Sequence, residues 1–222
     1  LNQKNVMTDS IVTIEDAVEY QLSGINQVQV DATTGVGFAS TLRAALRQDI
    51  DVLLVGEIRD RETAETAVRA SMTGHLVFST LHTNDALEAI STLRNLGVAS
   101  FLVSTALTAV IGQRLVRRIC ENCKKSFKPP AGLLRSIGLS PNLKKLYKGE
   151  GCEQCFRTGN RGRTGIFEVL EITPAIRTLI AEDQSREAIA KEAKLKTMAE
   201  RARAKVKRGE VEPEEFLRVV RL

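Results

Sequence analysis

Tryptophan is absent from the 222 residues, and Tyr and Phe together bring the aromatic content to only 4%. Proteins that thread single-stranded nucleic acid stack bases on aromatic rings, and so sparse a complement argues against that class. No run reaches the roughly 18 to 20 apolar residues of a membrane-spanning helix. The longest candidate, near Phe101 to Ile111, is interrupted by Ser104, Thr105 and Thr108. Neither an initiator Met nor the charged, apolar, small-residue succession of a secretory signal opens the chain, so the sequence beginning at Leu1 reads as a piece of a longer one. The pattern G-x-x-x-x-G-K-[ST], whose backbone amides and lysine cradle nucleotide phosphates, is also missing. Its nearest approach, Gly35-Val36-Gly37, has no lysine after it. No internal repeat or low-complexity stretch is present.

What is there fits a soluble chain with a sizeable core, at 43% hydrophobic and 27% charged residues. The net charge of +5 is unevenly spread. Between Arg114 and Arg163 there are thirteen Lys or Arg against Glu121, Glu150 and Glu153, which leaves the rest of the chain net acidic. Such a basic segment suits phosphates, acidic lipids or acidic protein surfaces, or is simply a solvated rim around a small module.

Strand and helix signals alternate over the first hundred residues. Ile11-Val12-Thr13-Ile14 is a β-branched run ending in Glu15-Asp16, followed by a turn-rich stretch. Helical spacing of Leu42, Ala45 and Leu46 from Phe38 precedes a second apolar run, Val52 to Val55, that closes on Gly56-Glu57. Asp60 is placed to cap a helix that Gly74 ends, and Leu76 to Thr80 then leads to Leu81-His82. Thr83 or Asn84 is the expected cap of the next helix, which Gly97 terminates, and a further helix is expected from about Ser100 to Arg114. After the basic segment come an apolar strand at Ile166 to Leu170 and an all-helical tail. Its signals are Thr173-Pro174, Ser185, a capping box from Thr197 to Glu200, Gly209 and Glu212-Pro213.

Alternation of this kind predicts a parallel sheet flanked by helices, in which all strand ends of one polarity share an edge and ligands bind beyond the carboxyl ends. Glu15, Glu57 and His82 are therefore expected to converge. Two carboxylates and an imidazole suit phosphoanhydride hydrolysis: one can hold Mg2+, one can activate water, and the histidine can hydrogen-bond the transferred phosphoryl group. Taken singly, each residue is as readily a cap or a solvated strand end. Their joint position at three strand ends is what favours a site.

Three stretches carry a resemblance. Val12 to Tyr20, Leu46 to Asp60 and Thr73 to Ala86 resemble the Asp box, Walker B motif and His box of the type II secretion and type IV pilus assembly ATPases. The similarity continues through Gly112 to Arg117 and Gly162 to Leu170, and so covers essentially the whole chain. It implies the C-terminal part of a RecA-like P-loop NTPase core with its first strands and phosphate loop lying upstream of Leu1. That core would work as a homohexamer that hydrolyses ATP with Mg2+. Partners implied are the inner-membrane platform and membrane-anchor proteins of the secretion or pilus machine. The place implied is the cytoplasmic face of a bacterial inner membrane, peripherally bound, with acidic lipid one candidate contact and nucleic acid not expected. Carried over by position, Glu57 takes the Walker B role, Glu15 the water-activating role and His82 that of a γ-phosphate sensor. Asp16, Glu19, Arg59 and His75 lie in the same motifs as supporting nucleotide-site residues, each with a structural alternative as a cap, ion pair or turn contact. Ala17 and Ile50 stand where the family commonly has proline, which loosens turns but deletes no reactive group.

All four cysteines fall in two pairs, Cys120-x-x-Cys123 and Cys152-x-x-Cys155. Two such turns supply the four thiolates of a closed, structural Zn2+ site, and the long spacer leaves room for a helix near Leu133 to Ile137. Disulfides or a redox dithiol are the competing readings, disfavoured by the reducing compartment expected of a nucleotide-handling protein. The expected organisation is thus an ATPase-core segment at 1–119, a zinc module at 120–163, and a return strand with a helical subdomain at 164–222. A nucleic-acid motor or DNA-binding module with a zinc ribbon, or an assembly adaptor without catalysis, are the rival functions.

Overall fold

The computed structural model describes residues 1, 3–4, 7–31, 33 and 35–220. Their contacts group into two units, one formed by Leu1–Val110 with Glu171–Ala193, the other by Ile111–Leu170 with the residues from Lys194 on. This interleaved division differs from the three successive segments expected. Its physical cause is that two long strands far apart in sequence, β5 (Ala109–Ile119) and β8 (Asn160–Glu171), pair with each other.

The first unit is built on the parallel sheet that the alternating pattern predicts. Strands β1 (Ile11–Glu15), β2 (Asn26–Gln29), β3 (Val52–Val55) and β4 (Leu76–Ser79) lie in the order β2-β1-β3-β4, each pair parallel. The two central strands read as continuous apolar runs because both their faces are covered. Ile14, Leu53 and Val55 are completely buried, each side chain contributing about 1.5–3 kcal/mol. Edge strand β2, Asn-Gln-Val-Gln, has no such run and forms by pairing with β1.

Helices α1 (Phe38–Ala45), α2 (Arg61–Met72), α3 (Ala86–Asn95) and α4 (Ser100–Ala106) accompany the sheet, joined by α6 (Pro174–Ala181) and α7 (Arg186–Glu192). Asp60 caps α2 as expected, its carboxylate accepting the Thr63 N–H at 2.8 Å, and Gly74 ends the turn after α2 at φ +102°. Helix α3 is capped one residue later than expected, by Asp85, which accepts the Glu88 N–H at 2.9 Å, while Glu88 in turn accepts the Asn84 N–H at 2.6 Å. The helix expected to reach Arg114 stops at Ala106, and β5 begins at Ala109. Val110, Ile111 and Val116 are β-branched and Gly112 is a poor helix former, so the stretch gains more from a ladder than from a helix.

The second unit gathers its own core from Val116, Leu134, Ile137, Leu146, Ile166, Ala202, Val206 and Phe216. It adds the antiparallel pair β6 (Lys124–Phe127) and β7 (Leu146–Gly149), helix α5 (Ala131–Ser136) in the cysteine spacer, and helices α8 (Met198–Arg208) and α9 (Pro213–Val220). Thr197 and Glu200 form the expected capping box of α8, which Gly209 closes at φ +70°. Buried Glu215 on α9 accepts the Arg117 N–H at 2.8 Å and pairs with the Arg117 and Arg218 guanidinium groups.

Candidate functional site

Glu15 is the last residue of β1, Glu57 follows β3 by two residues and His82 follows β4 by three. The register sets Ile14 opposite Val55 and Val55 opposite Ser79, so the three strands end level. All three side chains line one cavity of about 1160 Å³ at the carboxyl edge of the sheet, with Asp16, Glu19, Arg59, Thr80 and Gly56 in the same wall.

Glu57 is the anchor of this wall. It is 8% exposed, and its backbone is fixed on both sides. Gly56 donates its N–H to the Ile14 carbonyl at 2.7 Å, Thr80 Oγ1 donates to the Gly56 carbonyl at 2.6 Å, and Ile58 N–H donates to the Thr80 carbonyl at 3.1 Å. A Cβ on Gly56 would stand 3.1 Å from the Ile14 carbonyl oxygen, closer than ordinary contact, which accounts for glycine here. One Glu57 oxygen lies 2.7 Å from His82 Nε2 and the other is ion-paired with Arg59, which also reaches Asp16 at 3.8 Å. Burial alone would raise the Glu57 carboxyl. The Arg59 guanidinium and the His82 ring outweigh it and hold the group below the usual carboxylate range.

Glu15 is held differently. Thr13 Oγ1 and Gln27 Nε2 both donate to its Oε1, at 2.5 and 3.0 Å. The cavity wall thus carries four carboxylates, Glu15, Asp16, Glu19 and Glu57, against Arg59 and His82. An acidic wall beside an exposed imidazole and a guanidinium suits a divalent cation and a phosphate-bearing ligand together.

Of the supporting residues expected from sequence, Asp16, Glu19 and Arg59 line the cavity and His75 does not. His75 immediately precedes β4, at the amino edge of the sheet, and its Nδ1 donates to the Ala70 carbonyl at 3.0 Å, closing the end of α2. Thr13, Gln27 and Thr80 belong to the wall but escaped the sequence reading. Thr13 could have been found as the residue two before a strand-end carboxylate, on the same face. Gln27 could not, because β2 has no hydrophobic signature.

In the second unit the four cysteines are free thiols whose sulfurs all lie within 4.8 Å of one another. The Cys120–Cys152, Cys123–Cys155 and Cys152–Cys155 sulfur pairs are 3.9, 3.8 and 3.7 Å apart. A disulfide would need about 2.05 Å, whereas a tetrahedral ion with metal–sulfur bonds of about 2.3 Å has edges near about 3.8 Å. Burial pushes the Cys123 thiol up to about 12. Burial also opposes ionisation of Cys155, but the N–H groups of Cys152 and Gly159 and the neighbouring thiols bring it down to about 6.

A family model described as type II/IV secretion system protein matches residues 1–218. A type IV pilus assembly ATPase, PilB, of Thermus thermophilus is 49% identical over 211 residues, 92% of this chain and 24% of the relative. The type II secretion system protein E of Pseudomonas aeruginosa is 44% identical over 224 residues, 100% of this chain and 45% of the relative. Among solved structures, the pilus retraction motor PilT with bound ADP matches at a TM-score of 0.69 and 31% identity, covering 95% of this chain and 52% of that one. The chain therefore spans less than half the length of these two curated relatives.

Proposed function

Because the chain belongs to the type II/IV secretion system protein family, we propose that it is the hydrolytic part of a motor ATPase powering type II protein secretion or type IV pilus assembly. The observation that carries this reading is the convergence of Glu15, Glu57 and His82 on one cavity wall. ATP and Mg2+, when bound, supply the phosphoanhydride and the Lewis acid. Glu57, level with the β1 end and already anionic, would hold the metal or its water. Glu15 would take the proton of the attacking water, and His82, free to leave Glu57, would hydrogen-bond the transferred phosphoryl oxygens. Asp16, Glu19 and Arg59 would tune the charge of the wall, and His75 would fix the end of α2 and the start of β4.

On this reading the motor acts as a homohexamer on the cytoplasmic side of the bacterial inner membrane, driving platform and anchor proteins there, with acidic lipid a candidate contact for the basic segment. No helix among the described residues is long and apolar enough to cross a membrane, which fits peripheral attachment. The four cysteines would hold a structural Zn2+, a role supported by their sulfur spacing and by the absence of a fifth protein donor in the cluster among the described residues.

ATPase assays on the full-length protein test the proposal. Glu15→Gln and Glu57→Gln should each lower kcat by about 100-fold or more, with the ring assembled. Wild-type turnover in either variant would remove that carboxylate from the mechanism.

A further inference from the structure

Two of the wall's four carboxylates, Glu57 and Glu15, differ in how they are held, and the difference assigns a role to side chains outside the reacting set. Glu57 is contacted on both oxygens. Glu15 is contacted on one only: Thr13 Oγ1 at 2.5 Å and Gln27 Nε2 at 3.0 Å both donate to Oε1, and among the described residues no hydrogen bond reaches Oε2. The arrangement follows from register. Thr13 stands opposite Gln27 in the β1–β2 ladder, and Glu15 shares the face of Thr13 two residues on. Thr13 is 1% exposed, so its hydroxyl has no water to turn to. Gln27 is tied on its other side as well, its Nε2 donating to the Tyr20 carbonyl at 3.0 Å and its Oε1 accepting the Leu22 N–H at 2.6 Å. The loop that carries Asp16 and Glu19 is thereby fastened to the same amide that grips Glu15.

Building on the reading of Glu15 as the water-activating carboxylate, we propose that Thr13 and Gln27 are positioning residues that saturate Oε1 and present Oε2 as the oxygen that receives the proton. As the water oxygen bonds to the terminal phosphorus, the bond from phosphorus to the bridging oxygen breaks and ADP leaves. The proton lost by the water passes to Oε2. The two donors keep the side chain in one rotamer, so the lone pair facing the water is fixed before substrate arrives. Loss of a donor lets the carboxylate rotate between two equivalent orientations, which slows the proton transfer without altering the contacts that bind nucleotide.

The test is steady-state ATPase kinetics on full-length protein carrying Thr13→Val, Thr13→Ser or Gln27→Met, with Glu15→Gln alongside and ring assembly checked by light scattering. Thr13→Val keeps the shape of the side chain and removes the donor. It should lower kcat by about ten-fold with KM for ATP within about two-fold, Thr13→Ser should restore the rate, and Gln27→Met should behave like Thr13→Val. Should Thr13→Val fail to assemble, Gln27→Met on the edge strand reads the same effect. Unchanged kcat in the donor-deleted variants beside an inactive Glu15→Gln overturns the positioning role and leaves the motor reading standing. Equal losses in Thr13→Ser and Thr13→Val also overturn it, since packing would then be the cause. An active Glu15→Gln overturns the positioning role together with the reading of Glu15 as the water-activating carboxylate.

Discussion

A single carboxyl can report how firmly the second unit holds its charges. Glu210 sits between Arg208 Nε at 2.6 Å and Lys205 Nζ at 2.8 Å, and these cations, Arg208 first, bring its pKa down from 4.5 to about 2. A carboxyl lowered on folding contributes stability that is fully present above its unfolded pKa and is lost as pH falls through the folded one. Urea unfolding followed from pH 6 to about pH 2 should therefore show wild type losing stability more steeply than Glu210→Gln across that window. Superimposable slopes would mean the two cations do nothing for the fold. The contrast with the cavity wall of the first unit is instructive. Glu57 is legible as a strand-end residue and Arg59 as a supporting residue with an ion pair as its alternative, whereas the contact that puts His82 on one Glu57 oxygen with Arg59 on the other depends on how β3 and β4 align.

Among the elements, those with local signals were legible and those held by neighbours were not. Asp60, Thr173, Ser185 and Thr197 all cap helices as their side chains suggest, each accepting an N–H three residues on. Strands β2, β6 and β7 were missed, since Asn-Gln-Val-Gln and Lys-Lys-Ser-Phe carry no alternation strong enough to show before a partner strand is in place. The first half of β5 suits a helix as well as a strand in sequence because its apolar residues fit both periods, and the Thr108 carbonyl, accepting the Ile172 N–H at 2.9 Å, belongs to a pairing 64 positions distant. The cysteine turns were legible from spacing, and they carry their own prediction. Replacing Cys120 and Cys152 by Ser should abolish Zn2+ content measured by elemental analysis and lower the melting temperature of the second unit by about 5 °C or more. Stoichiometric zinc in the double variant, or two native disulfides in the wild type by mass spectrometry, would dispose of the metal reading.

For the whole molecule, the decisive feature is what the sheet edge is equipped to do. On the proposed reading it brings together groups that would handle the terminal phosphate and water, but the sequence carries no G-x-x-x-x-G-K-[ST] motif to cradle the phosphates. Isothermal titration of this stretch with Mg-ATP should accordingly give weak binding or none, and micromolar affinity would show that the wall alone is sufficient. The parallel sheet and the convergence of three strand ends were legible because alternation and strand polarity determine them together. The partition into units was not, because it depends on which distant strands pair: the basic run from Arg114 to Arg163 lies within 111–170, but no composition shift at 193 tells that the residues from Lys194 on rejoin it.

That partition has a consequence for how the polypeptide can be cut or made. The chain passes from the first unit to the second at 110, returns at 170, and leaves again at 193. A ribosome that halts near residue 150 would release a product lacking β8 and the helices α6 to α9, so both units would be truncated by one event. The first unit is complete only once residue 193 has been made and the second only after the chain has left again, and a single nick between 111 and 170 severs covalent continuity in the second unit while leaving the first dependent on helices α6 and α7, which then arrive on a separate piece.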